Sequence, residues 1–474
     1  MEAARGHGRS RDVARLATRR SIAAIVAALR TLRPHQEPVL AWLMPRKTAG
    51  LFLEMRLGKS LLAIRWAAPR VKRAPALVIA PSVPLIDWQD EIRKEGFDSV
   101  VLEGPSKKKV ATLHKTDEPF VLVNPEGVRA CPAILDREWS SIIVDESTCI
   151  ANPKSQTTKV IYRHTRHVPH RLILAGKPAP EGDWQFFEQM RFLADEFMGC
   201  KNFYQWRERH FFQAGYEWLT RSKDRRRIRD AVAEHSYTLT TKAAGYSREK
   251  SYERRFVEPG PMIKKLCRQV AEEFALGEAS TKWTVVCQSW LSQLAGGIVP
   301  LVYREEGKPQ YYPHKFNELV RLLTEDLAGR PVVVFFKHKR EIRLARTLMH
   351  QARSAPITWL DGDMNQVQRR AEIERFRTMK TMPIFVQGQI ARFGLNLALA
   401  STAIFFSNHW SSLTRLQCEA RIDDPMKEEP SLIIDLVSRG TVDEAVVELL
   451  QDKALSAKRF LDSLVKVSLA RGFV

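Results

Sequence analysis

Gly58, Lys59 and Ser60 form a glycine–lysine–hydroxyl triplet where an apolar run gives way to a helical pattern, LFLEMRLGKSLLAIRWAA over residues 51–68. A tight turn at that junction directs backbone N–H groups and the start of a helix at one point, which makes an anion site. Arg56, Leu57 and Gly58 supply the turn, Lys59 adds a point charge for β- and γ-phosphates, and the Ser60 hydroxyl is a ligand for Mg²⁺. The full phosphate-loop pattern has glycine at position 53, where this chain has Leu53, so the triplet needs a second partner. SIIVDEST over residues 141–148 supplies it, with Asp145 and Glu146 just past a β-rich run. Downstream of a phosphate loop in one α/β unit, Asp145 orients Mg²⁺ and its waters while Glu146 polarises the attacking water. By itself, an apolar strand ending in Asp-Glu is an ordinary surface turn.

These groups require a sheet to carry them. From about Leu32 to Leu193, five continuous apolar runs alternate with helical patterns: LFLEM, ALVIAP (76–81), FVLVN (120–124), SIIVDE (141–146) and RLILAG (171–176). Runs of this kind are buried parallel strands, and functional groups then gather at their carboxyl ends, where Lys59, Asp145 and Gly176 fall. A second alternating series comprises PVVVFFKH (331–338), ITWLDG (357–362), MPIFVQG (382–388), TAIFFSN (402–408) and SLIIDLV (431–437), with no phosphate loop. The predicted organisation is a basic N-terminal arm (1–31), a first α/β lobe (32–193), a helical insertion and connection (194–316), a second α/β lobe (317–440) and a helical C-terminal tail (441–474).

The chain has 474 residues and a formal net charge of +21, with a pI near 9.8. Such an excess favours a polyanionic partner, and its spread over the chain suits a track along a nucleic-acid backbone. Any single basic run, such as Lys107–Lys109 or Arg225–Arg227, also reads as a solvated loop. The six cysteines include no C-x-x-C pair, which fits a reducing compartment and argues against a disulfide frame or a zinc site. No apolar stretch reaches the roughly 20 residues of a membrane span. The Arg-rich start fits either a transit peptide or a basic arm on nucleic acid. His164, His167 and His170 read as a basic loop rather than a metal site, and Cys149 as a packing residue. The aromatics of FYQWRERHFF (203–212), with Tyr216 and Trp218, suit core packing better than base stacking.

Taken in order, the motifs resemble the superfamily-two helicases, and most closely the Swi/Snf-type DNA translocases in their compact phage and bacterial forms. LRPHQ (32–36) is similar to the adenine-reading segment, with Gln36 in the reading position. APSVPLIDWQDEIRK (80–94) and LVNPEGV (122–128) resemble DNA-facing segments. DEST, with IANPKSQTTK (150–159), stands at the Asp-Glu motif, and LAGKPAPEGDWQFFEQMRFL (174–193) resembles the coupling motif that usually reads LTGTP. DGDMNQVQRRAEIERF (361–376), FGLNLALASTAIFFSNHW (393–410) and RLQCEARI (415–422) are similar to second-lobe motifs. The resemblance implies two RecA-like lobes, ATP and Mg²⁺ as cofactors, and Gln417 and Arg421 presented to a shared cleft. It also implies duplex DNA held through its backbone without sequence readout, and a cytoplasmic setting in a bacterial or phage-infected cell.

Four residues depart from that pattern. Arg56 stands where glycine is usual, and a Cβ distorts the turn if φ is positive there. Ala175 and Lys177 replace two threonines of the coupling motif. Asp424 occupies the place of a second arginine, leaving Arg392 or Lys427 as other sources of charge. The expected function is an ATP-dependent duplex-DNA translocase. The alternatives are a catalytically weakened DNA clamp and a strand-separating helicase.

Overall fold

The computed structural model describes residues 30–451 except 83, 181, 216, 247–249, 277–278, 281–283, 304–309, 353–355, 392–394, 425–426 and 428. Residues 1–29 of the expected arm, the tail beyond 451 and Arg392 therefore lie outside the described residues. The chain divides into two compact units, residues 1–247 and 248–474. Among the described residues, no helix is long and apolar enough to cross a membrane.

The first unit is built on seven strands: β1 (Thr48–Leu53), β2 (Ala76–Ile79), β3 (Ser99–Val101), β4 (Phe120–Val123), β5 (Ser141–Val144), β6 (Arg171–Leu174) and, after a separate hairpin of β7 (Phe211–Ala214) and β8 (Glu217–Thr220), β9 (Ser236–Leu239). They lie in the order β3-β4-β2-β5-β6-β1-β9, and every pair is parallel. The apolar runs are continuous because both sheet faces are covered. Leu51, Leu53, Val78, Leu122, Ile143 and Leu172 join one core, while the alternating Phe52, Leu77, Ile79, Val121, Ile142 and Ile173 join the other. Gly50 lets β9 lie close, since a Cβ there would stand 3.1 Å from the Ser236 Cβ.

The second unit has a six-stranded sheet formed by β10 (Lys250–Val257), β13 (Val332–Phe336), β14 (Thr358–Leu360), β15 (Ile384–Gln387), β16 (Thr402–Phe405) and β17 (Ser431–Ser438). Its order is β10-β17-β16-β13-β15-β14, again with parallel pairs. A short ribbon of β11 (Ala275–Leu276) and β12 (Ala279–Ser280) accompanies a helical pair, Pro261–Glu273 and Thr284–Ala295. Residues Ile263, Leu266, Val270, Trp290 and Leu294 give that pair its own core.

Residues 194–316 differ from the expected helical insertion. Within this stretch β9 extends the first sheet and β10 edges the second. The physical reason is that both are edge strands with polar faces, so they lack the apolar run by which buried strands announce themselves.

Candidate nucleotide site

The order β5-β6-β1 sets three strand ends side by side. Val144 of β5 pairs with Ile173 of β6, and Leu174 of β6 pairs with Leu51 of β1. Adjacent strands lie about 4.8 Å apart, so the acid pair after β5 and the turn after β1 are separated by one strand of roughly that width on either side. Between them, after β6, is Gly176, where a Cβ would lie 3.9 Å from Lys59 Nζ.

The turn after β1 leads into helix α1 (Lys59–Ala67), capped by Gly58 at φ 84° and ψ 33°. The first helix-forming bond runs from Leu62 N to Gly58 O at 3.1 Å. The amides of residues 59–61 consequently have no acceptor within the helix, which is the donor set a phosphate needs. Lys59 Nζ donates to Leu53 O at 2.8 Å and Glu54 O at 3.3 Å, which folds the ammonium back over the turn. Arg56 adopts φ 67°, so the turn does require the left-handed region and tolerates a side chain there. Gln36 is buried, and its Nε2 donates to Leu57 O at 3.2 Å. His35 Nε2 meets the same carbonyl at 3.1 Å. A second clasp comes from beyond β9, where Thr241 N and Oγ1 each donate to Glu54 Oε2 at 2.8 Å.

Asp145 is 9% exposed. Its Oδ1 accepts from Glu146 N at 2.9 Å, and its Oδ2 accepts from the Trp88 indole Nε1 at 2.8 Å. Each carboxylate oxygen keeps a lone pair for a further ligand. Trp88 lies on helix α2 (Pro84–Lys94). Glu146 turns the chain at φ 49°. Ser147 Oγ then donates to Gln189 Oε1 at 2.6 Å, and Gln189 Nε2 donates to Pro178 O at 2.7 Å. Trp88, Gln189 and Thr241 escape sequence reading because their partners Asp145, Ser147 and Glu54 lie 57, 42 and 187 residues away, beyond any local pattern.

Residues 35–236 match the SNF2-related domain, and residues 314–423 match the helicase conserved C-terminal domain. The chain belongs to the Swi/Snf-type helicase-like family. Its relatives include the TATA-binding protein-associated factor mot1 of Aspergillus fumigatus, 22% identical over 90% of this chain and 26% of that protein. The putative ATP-dependent helicase/translocase YwqA of Bacillus subtilis is 21% identical over 89% of this chain and 48% of its own length. The DNA repair and recombination protein RAD54-like of Gallus gallus is 21% identical over 90% and 67%. The chain thus spans about a quarter of mot1 and about half of YwqA. A Sulfolobus solfataricus SWI2/SNF2 ATPase core in complex with dsDNA is similar at 18% identity and a TM-score of 0.42, covering 92% of this chain and 93% of that chain.

The fold of a Swi/Snf-type chain uses ATP, typically with Mg²⁺. The first lobe fits both: a helix start led by Gly58, with Lys59 beside it, suits a triphosphate, and Ser60 and Asp145 offer oxygen to a hard cation that needs one or two protein ligands. In the second lobe, Gln417 lies on helix α3 (Ser412–Glu419) and is 7% exposed. Its Oε1 is buried without a hydrogen-bond partner among the described residues. Arg421 follows the helix, and its carbonyl accepts from Leu397 N at 3.1 Å. Arg415, on the same helix, is held by Glu419 at 2.7 Å, Asn408 at 2.8 Å and Asp435 at 2.9 Å. Lys427, one expected substitute cation, donates to Leu399 O at 2.8 Å and Ser401 Oγ at 3.3 Å. Ala175 is buried in the sheet core, whereas Lys177 is exposed.

The remaining expectations concern packing. His164 Nδ1 lies 3.0 Å from Asp136 and His170 Nδ1 lies 3.1 Å from Ser140 O. No group of three or more His, Cys, Asp or Glu able to hold a metal occurs among the described residues. Burial, with Asp145 and Glu146 nearby, pushes the Cys149 thiol up to about 12, so it stays protonated and poorly nucleophilic. Trp206 and Phe211 are buried with ring centroids 4.8 Å apart, while Tyr204 and Phe212 are exposed. Tyr216 lies outside the described residues.

Proposed function

We propose that this chain is a DNA-dependent ATPase that moves along duplex DNA. The observation that carries the reading is the β5-β6-β1 neighbourhood, in which Lys59, Gly176 and Asp145 follow the carboxyl ends of three neighbouring strands of one sheet. In this reading Gln36 recognises adenine and the Arg56-Leu57-Gly58 turn cradles the phosphates. Lys59 neutralises the β- and γ-oxygens, and Ser60 and Asp145 hold the metal. Mg²⁺ supplies charge neutralisation on the phosphates when bound. Glu146 takes a proton from the attacking water. By the family resemblance, Gln417 and Arg421 are the second lobe's candidates for ATP chemistry, a guanidinium being suited to stabilise charge that develops on a phosphoryl group. Duplex DNA is engaged through its phosphates, which fits the net charge of +21 and gives affinity without base readout.

Phosphate release with and without duplex DNA tests this. Wild type should be stimulated by DNA, and Lys59→Ala should lose that stimulation while DNA binding persists. Equal turnover in the two proteins would refute the assignment. A second reading, a weakened clamp that binds DNA without turnover, is favoured by Asp424 and by the loss of both threonines at Ala175 and Lys177. DNA binding at low salt with no stimulation of phosphate release would select it.

A further inference from the structure

Ser147 and Gln189 are both fully buried, and the helix residues flanking Gln189 on its core side, Phe187 and Met190, are apolar and buried as well. The Gln189 carboxamide has a partner at its oxygen and at both N–H groups. Its oxygen accepts from Ser147 Oγ at 2.6 Å, and its two N–H groups go to Pro178 O at 2.7 Å and Gln185 O at 2.9 Å. Turning the amide over would face its oxygen toward two carbonyl oxygens, so the network admits one orientation. One end of the relay is the residue after Glu146. The other is two residues beyond Gly176, whose Cβ position lies 3.9 Å from Lys59 Nζ.

We propose that Gln189 is a positioning residue that ties the Asp145-Glu146 turn to the Gly176–Pro178 loop beside Lys59, so that acid pair and loop shift as one body. Three features support this over a role in folding alone. The relay joins two strand-end loops rather than two core elements. Glu146 holds a left-handed backbone at φ 49°, a conformation that must be imposed by its surroundings. And Gln189 bridges loop and acid turn next to Ala175, which has no hydroxyl at a position where the coupling motif usually has threonine. The inference rests on reading Asp145 and Glu146 as ATP-hydrolysing groups.

The test uses the full chain: DNA-stimulated ATPase, binding of a fluorescent ATP analogue, and thermal melting, for wild type, Gln189→Met, Ser147→Ala and the double variant. Each single change should lower kcat at least about tenfold, with KM and analogue affinity within about twofold of wild type. The double variant should be no slower than the worse single, because both changes cut one link. Ser147→Ala removes a single hydroxyl and decides the matter if Gln189→Met fails to fold. A folded Ser147→Ala protein with kcat within about twofold of wild type, or a loss that falls on KM, overturns the proposal. A wild-type chain with no DNA-stimulated turnover overturns the ATPase reading itself, and this inference with it.

Discussion

Gly58 shows how narrowly the nucleotide turn is specified. It sits at φ 84°, and a Cβ there would stand 2.1 Å from Gln36 Nε2, so any side chain meets both backbone strain and a buried amide. Gly58→Ala should therefore lower stability by about 1–3 kcal/mol, measured by urea unfolding, and weaken ATP-analogue binding. Arg56, in contrast, already accepts a left-handed φ of 67°, which removes the reason to regard that departure as disabling. Under the proposed function, Asp424 is the substitution that bears on turnover, because it puts a carboxylate where the family pattern has a cation. Asp424→Arg should raise DNA-stimulated turnover, measured by steady-state phosphate release. Unchanged turnover would mean that another cation already serves. Lys427 is poorly suited to that task, since its ammonium is engaged by Leu399 and Ser401.

At the level of elements, the helix Ser222–His235 that follows the β7–β8 hairpin separates its two roles by face. Asp224, Ile228 and Val232 are buried, whereas Lys223, Arg225, Arg226, Arg227 and Arg229 are exposed. Such a stripe suits phosphate contact. Reversing Arg225 and Arg229 to glutamate should weaken duplex binding equally across sequences and reduce the slope of log affinity against log salt by roughly one per lost contact. A binding isotherm series over salt measures both, and an unchanged slope would mean that this helix does not touch DNA. The same scale explains the limits of sequence reading. Each of the ten buried strands expected from an apolar run is present. The strands that sequence reading missed, including β3, β9 and β10, are short or polar-faced, and periodicity carries little information about them.

At the scale of the whole molecule, the second lobe buries a set of titratable groups. Lys315 is fully buried and donates to Asp443 at 2.7 Å. Glu341 accepts from Ser407 Oγ at 2.6 Å and from His338 N at 3.0 Å. Burial, only partly offset by these bonds and nearby lysines, lifts the Glu341 carboxyl to about 7. Burial also lowers His314 to about 4 and His338 to about 3. The signs oppose. Glu341 favours its neutral form when folded, so its contribution to stability falls as pH rises from about 4.5 to about 7. The histidines favour their neutral forms, so theirs is present above pH 6.5 and is lost as pH falls through their folded values. Glu341→Gln should then gain stability relative to wild type as pH rises across that window, by at most about 3 kcal/mol. Parallel unfolding curves at each pH would count against it.

By itself, the sequence determined the two α/β lobes and the strands of their cores, and it marked Lys59, Ser60, Asp145 and Glu146 as candidates for one chemical set. Continuous apolar runs and phosphate-binding turns are local patterns, and local patterns survive in one dimension. Only the tertiary structure decided strand order, and with it that β6 separates the nucleotide turn from the acid pair by a single strand. It alone revealed Trp88 on Asp145, Thr241 on Glu54 and Gln189 between Ser147 and Pro178. Those contacts join residues from 11 to 187 positions apart. Their geometry is fixed by packing across the sheet, for which neighbouring residues in the chain hold no record.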